Sequence, residues 1–187
     1  MRFLMGILCL IHFPVQAAEK LILDDQHSYV LWKIGHLGFS VQSGKWYVKG
    51  FVLLDKEQPQ NSKVEATIDL SKLITGIPEL DEHLKGKLFF DVAKYPQATF
   101  LSNKVDVLSK TAARVTGTLS LHGISKPVTL MVTLNKAGMN PITNKMTVGF
   151  TATTTLKRSD FGINTLLPDL NDTVEIEIGA EAYQTKR

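Results

Sequence analysis

The chain has 187 residues, a formal net charge of +3, 44% hydrophobic residues and 21% charged residues. That length suits one domain with at most a short appendage, and that charge content excludes both a disordered chain and a helical membrane protein. The small positive charge is spread along the chain and leaves no footprint for nucleic acid.

The first segment reads as a signal peptide. Arg2 gives a positive start, residues 3–15 are mostly apolar, and Val15-Gln16-Ala17 offers small residues for cleavage after Ala17. The apolar run is short for a transmembrane helix. Leu8 is too large to precede a lipidated Cys9. The expected mature domain is therefore 18–187, exported to the periplasm. It has no cysteine, hence no disulfide, thiolate metal site or cysteine nucleophile.

From about Leu21 onward the signal is period-two alternation, the mark of strands with one face on a core. Strands are predicted at 29–34, 45–54, 64–70, 98–108, 115–121, 128–134, 148–154 and 174–178. Val174-Glu175-Ile176-Glu177-Ile178 is the cleanest, aliphatic one way and acidic the other. Turn chemistry separates the strands at Pro59-Gln60-Asn61, Lys110-Thr111-Ala112, Gly123-Ile124-Ser125 and Gly138-Met139-Asn140-Pro141. Connections this short imply antiparallel neighbours. One segment, 78–85, reads as a short helix that caps an end of the sheet. Pro78 suits its first position, acids fill its first turn, and Gly86 is expected to end it in the left-handed conformation.

The fold class is all-β. Eight antiparallel strands close as a sandwich or as a barrel, and a barrel of about eight has room for packed side chains or one small ligand. The inward parity collects Val30, Trp32, Ile34, Trp46, Val48, Leu119, Leu121, Phe150, Val174 and Ile176. A bore lined this way is either filled by its own side chains or holds an apolar guest. Each buried methylene gains about 0.8 kcal/mol, so ten give about 8 kcal/mol gross, the micromolar scale before binding costs. The other parity carries Tyr29, Leu31, Tyr47, Phe51 and Leu53. That second face is expected to lie under the helix or a neighbouring chain, which leaves a homodimer open.

A series of motifs then runs along the chain in one order. It begins with His27-Ser28-Tyr29-Val30-Leu31-Trp32-Lys33-Ile34-Gly35-His36, then Ile68-Asp69-Leu70 and Thr75-Gly76. The densest block is His83-Leu84-Lys85-Gly86-Lys87-Leu88-Phe89-Phe90-Asp91-Val92 with Lys94-Tyr95-Pro96 and Thr99-Phe100. Gly117 to Gly123, Lys126-Pro127-Val128, Arg158-Ser159-Asp160-Phe161-Gly162 and Asp172-Thr173-Val174 complete it. This series resembles the YceI family of lipid- and polyisoprenoid-binding proteins, although Leu88 stands where that family usually has an acid, and Gly86 where a serine is common. The resemblance implies a lipocalin-like extended eight-stranded β-barrel. Its guest would be a long-chain isoprenoid, quinone, fatty amide or other amphiphilic lipid, and transient contact with a membrane follows for such a carrier.

Phe89, Phe90 and Phe161 are counted with the lining residues. Arg158 is the leading polar candidate, since its fork of donors suits phosphate or carboxylate. The structural alternative is an ion pair with Asp160 or Asp172. His36 lies on the inward parity, His122 reads as a turn residue, and Asp91 as an organiser of its turn. The sequence has no Gly-x-Ser-x-Gly elbow and no phosphate-binding glycine loop. Its histidines show no metal-ligand spacing, so neither enzyme activity, metal nor cofactor is expected. Two other readings are an envelope enzyme using His36, Arg158, Asp160 and His122, and an interaction module with lipid as filler.

Overall fold

A computed structural model describes residues 18–185; the expected signal peptide lies outside the described residues. Nine strands run β1 (Glu19–Leu23), β2 (Tyr29–His36), β3 (Ser40–Leu54), β4 (Lys63–Asp69), β5 (Gln97–Val107), β6 (Ala112–Leu121), β7 (Ile124–Met139), β8 (Met146–Lys157) and β9 (Leu170–Gln184). One helix, α1 (Pro78–Lys85), stands between β4 and β5 with the boundaries that its proline and glycine predict.

All neighbouring strands pair antiparallel, and the sheet closes because β3 bonds β2 on one edge and β4 on the other. The result is an eight-staved barrel built from nine strands. β1 and β2 share one stave: both pair with β3 and with β9, at successive heights. The sequence reading missed β1, whose five residues are too few for alternation to stand out. Its Leu21 and Leu23 are buried all the same, and it completes the wall below Tyr29.

Alternation sorts the side chains as period two requires. On β9, Val174, Ile176 and Ile178 face inward while Thr173, Glu175 and Glu177 are exposed. Gly50 lets β3 coil sharply toward β4. Its φ is +147°, and a Cβ there would sit 2.0 Å from the Glu65 carbonyl oxygen.

The barrel has two distinct ends. At the helix end lie α1, the β2–β3 hairpin, the His122–Gly123 turn and the 3-10 turn Arg158–Phe161. A cluster of Trp32, Ile34, Trp46, Leu70, Leu73, Phe89, Ile163 and Leu170 packs there. A second cluster, Leu21, Leu23, Val48, Val52, Val148 and Ala182, closes one side of the far end.

Three local expectations are corrected. Gly86 ends α1 at φ −70° and ψ 171°, an extended rather than left-handed cap. Its chain turns outward into the 86–92 segment, whose amides bond back to the carbonyls of Leu84, Lys85 and Gly86. The β7–β8 turn starts at Asn140, because Gly138 and Met139 still pair across to β8. The β6–β7 turn is His122–Gly123, both at positive φ, with Ile124 and Ser125 already in β7.

Substituting Gly50→Ala should cost about 2 kcal/mol of unfolding free energy or more, from strain plus the clash with Glu65. Urea melts will measure it. A loss under about 0.5 kcal/mol would show that closure does not depend on this bend.

Candidate ligand-binding cavity

The bore holds a cavity of about 900 Å³ with almost wholly apolar walls, lined at both ends and along every stave. That is the size of a site for a drug-sized or larger guest. The fifteen lining residues read from the sequence all reach it: Val30, Trp32, Ile34, His36, Trp46, Val48, Phe89, Phe90, Leu119, Leu121, Phe150, Arg158, Phe161, Val174 and Ile176. Leu119, Leu121, Phe150, Val174 and Ile176 point inward yet remain only half-buried. Their free surface therefore faces the bore, which its own side chains do not fill.

Large rings gather toward the helix end. Trp32 and Trp46 lie 6.3 Å apart between centroids, and Phe90 meets Trp46 edge-on at 5.2 Å. Small residues line other parts of the bore, among them Ala66, Val105, Ala113, Val115 and Ala137. Trp46 Nε1 donates to the Leu70 carbonyl at 3.2 Å. Trp32 lies flat over Gly44, where a Cβ would meet its ring at 2.5 Å, and its buried Nε1 finds no acceptor among the described residues.

Arg158 is not ion-paired to either predicted aspartate. Its guanidinium, 7% exposed, donates to four backbone carbonyls: Asn171 at 2.9 Å, Ile163 at 2.9 Å, Thr165 at 2.7 Å and Leu170 at 2.8 Å. Burial draws its pKa below the ordinary arginine value, and the nearby charge of Asp172 opposes that. Asp172 instead accepts the Ser159 amide at 2.9 Å and the Ser159 hydroxyl at 2.8 Å. Those bonds, the amide's first, hold its carboxyl below the usual aspartate range. Arg158 thus clasps the irregular stretch between β8 and β9 onto the barrel end. Its donors serve the fold.

The other polar candidates sort in the same way. His122 Nδ1 lies 3.0 Å from the Phe161 carbonyl, and its ring stands edge-on to Tyr95 at 4.6 Å. Asp91 closes its turn by accepting the amides of Lys94 and Tyr95 on its backbone carbonyl. His36 stays half-buried at the helix end and lines the bore. Asp160 is exposed and outside the lining, so the four residues of the envelope-enzyme reading do not converge as one group. Among the described residues, no three His, Cys, Asp or Glu side chains gather as a metal-binding group.

Some lining residues escaped the sequence reading. Val115 shares the parity of Leu119 and Leu121, and Val128 and Leu130 alternate with the exposed Thr129, so period two could have located them. Leu70, Ile163 and Leu170 sit in or beside irregular chain, where no period marks an inward face.

On the outer surface Lys33 pairs with Glu177 at 3.5 Å, and Glu175 and Arg114 are exposed. Lys20 lies over the Phe51 ring at 4.2 Å and Lys45 over the Tyr47 ring at 4.9 Å. The outer aromatics are thus partly covered by lysines of their own chain, not by α1, which sits at the barrel end. An apolar interior under a charged exterior inverts the pattern of a membrane-spanning barrel.

A closed antiparallel barrel whose apolar bore is not filled by its own side chains is the architecture of a lipocalin-like ligand-binding protein. Comparison with known proteins makes the class specific: the YceI-like domain model matches residues 22–182, and the chain belongs to that family. A UPF0312 protein of Pseudomonas putida strain W619 is 38% identical over 173 residues, 91% of this chain and 88% of its own. Among solved structures, Burkholderia cenocepacia BcnA superposes with a TM-score of 0.77 at 25% identity, covering 85% of this chain and 98% of its own. A polyisoprenoid-binding domain from Saccharophagus degradans superposes with a TM-score of 0.66 at 18% identity, covering 91% and 100%.

Arg158→Met leaves four carbonyls without their donor and should cost about 3 kcal/mol or more. Lipid carried per folded molecule should stay unchanged; its loss at intact stability would return Arg158 to the ligand. Because the folded pKa of Asp172 is lowered, its contribution is complete above the ordinary aspartate range and fades as pH falls through the lowered value. Melting temperatures taken below about pH 4 should therefore fall less steeply for Asp172→Asn than for the unaltered protein. Equal slopes would remove this carboxylate from the acid response.

Proposed function

We propose that the protein carries one long apolar lipid, of polyisoprenoid, quinone or fatty-amide type, inside the barrel, in the periplasm and without chemical turnover. The observation that carries this reading is the half-buried state of inward apolar side chains around a 900 Å³ bore. Water in such a bore gains little from the walls, whereas a hydrocarbon tail gains about 25 cal/mol for each Å² it removes from water. The polyisoprenoid-binding domain of like fold supports an isoprenoid guest. The signal-peptide pattern supports the location.

Affinity in this reading comes from the tail. Arg158 and His122 are committed to backbone carbonyls, so neither offers a free cation to a headgroup. The same commitment weakens the enzyme alternative. The interaction-module alternative has less support, since lysines already lie over Phe51 and Tyr47.

Solvent extraction and native mass spectrometry of protein isolated from its own envelope should release a long-chain lipid. Ile176→Glu places a charge on the half-buried wall and should lower lipid retention at least tenfold, about 1.4 kcal/mol, with a thermal melt close to that of the parent. Lipid-free protein from a lipid-replete envelope, with no uptake of an added polyprenol, would sink the carrier reading.

A further inference from the structure

The helix end carries large apolar side chains that the fold leaves bare. Phe39, at the tip of the β2–β3 hairpin, is 90% exposed, with Leu37 and Val41 exposed beside it. Leu88 is 62% exposed in the segment after α1, and Ile77 and Leu166 are exposed nearby. The Thr165 hydroxyl donates to the Leu88 carbonyl, which ties the loops bearing Leu88 and Leu166 together. Scattered apolar residues need no explanation, but a cluster at one end of the barrel marks an interaction surface.

Two features make the cluster more than slack chain. Leu37 and Leu166 both hold positive φ, +53° and +61°, a backbone state leucine rarely adopts. Their turns present them outward at the cost of strain. Ile77 and Leu166 also line the cavity, so one apolar surface runs from inside the bore onto the rim.

We propose that this end docks on a lipid bilayer, with Phe39 and Leu88 as apolar wedges, so that cargo passes between membrane and bore along an unbroken apolar path. The proposal rests on the carrier reading and names the surface through which it works. Continuity of the rim with the bore favours a bilayer over a protein partner. A second copy would have to meet these protruding tips with the same tips. Exposed charges at this end are of both signs, Lys72 and Lys87 with Glu79, Glu82 and Asp169. Docking therefore runs on apolar insertion and not on attraction to anionic lipid. No helix among the described residues is long and apolar enough to cross a membrane.

Flotation of the full mature protein with phosphatidylcholine vesicles, with and without phosphatidylglycerol, tests it at low and high salt. The parent should float with both vesicle types, with under twofold change between salts. A double variant, Phe39→Asp with Leu88→Asp, should lower the bound fraction at least tenfold. The far-end control, Met139→Asp with Ile142→Asp, should change it by less than twofold. Both pairs are exposed, and thermal melts will check that the variants fold. Four results overturn the proposal: no flotation of the parent, flotation unaffected by the helix-end variant, flotation lost with the far-end variant, or binding that vanishes at high salt. So does self-association of the parent in sedimentation that the helix-end variant abolishes, which gives the rim to a second copy. Extraction of the same samples separates the two readings. Flotation by protein that neither carries nor takes up lipid leaves docking standing while the carrier reading fails.

Discussion

The closed hydrogen-bond ring of eight staves is the constraint on which the rest depends. β3 holds β2 along one edge and β4 along the other, so every stave has a hydrogen-bonded neighbour on each side. Closure fixes the bore's width before any side chain is placed. Trp32, Trp46, Phe89 and Phe90 are large enough to meet at the helix end. Alanines and valines such as Ala66, Val105 and Ala113 cannot span the same distance. The cavity is thus a consequence of ring geometry combined with residue size, and it needs no special scaffold.

The helix end is covered largely by chain that is not sheet, and the backbone groups of that chain need partners too. Arg158 supplies them to the 163–171 stretch, and Asp172 supplies one to Ser159. A buried guanidinium is costly unless its donors are met, and here four carbonyls meet them. This spends the strongest polar group of the bore on architecture. The walls facing a guest are left apolar, which suits recognition by tail length and shape. Trp32 Nε1 is the exception, a buried donor without an acceptor among the described residues.

Polarity, closure and exposed rim fit together as one device. The outside carries Lys33, Glu175 and Glu177, so the barrel stands in water, while the inside is hydrocarbon-like. A lipid could not enter such a container across water without a large desolvation cost. The bare leucines and phenylalanine at the helix end are placed where that cost would be avoided.

The sequence by itself determined eight of the nine strands, their inward faces and α1, because period two and helix-end chemistry are local rules. Val174 to Ile178 announces its inward face within five residues, and Pro78 and Gly86 mark the helix. The motif series carried the family and with it the barrel. Tertiary structure alone decided that β1 and β2 share a stave, since pairing partners lie far along the chain. It alone turned Arg158 from a candidate for an anion or an aspartate into a backbone clasp, because the carbonyls it meets, two in irregular chain and two at the start of β9, are brought to it by the fold and by no local pattern. It alone left the bore unfilled by side chains: whether inward side chains meet depends on the diameter of a closed ring, and no stretch of sequence contains that distance.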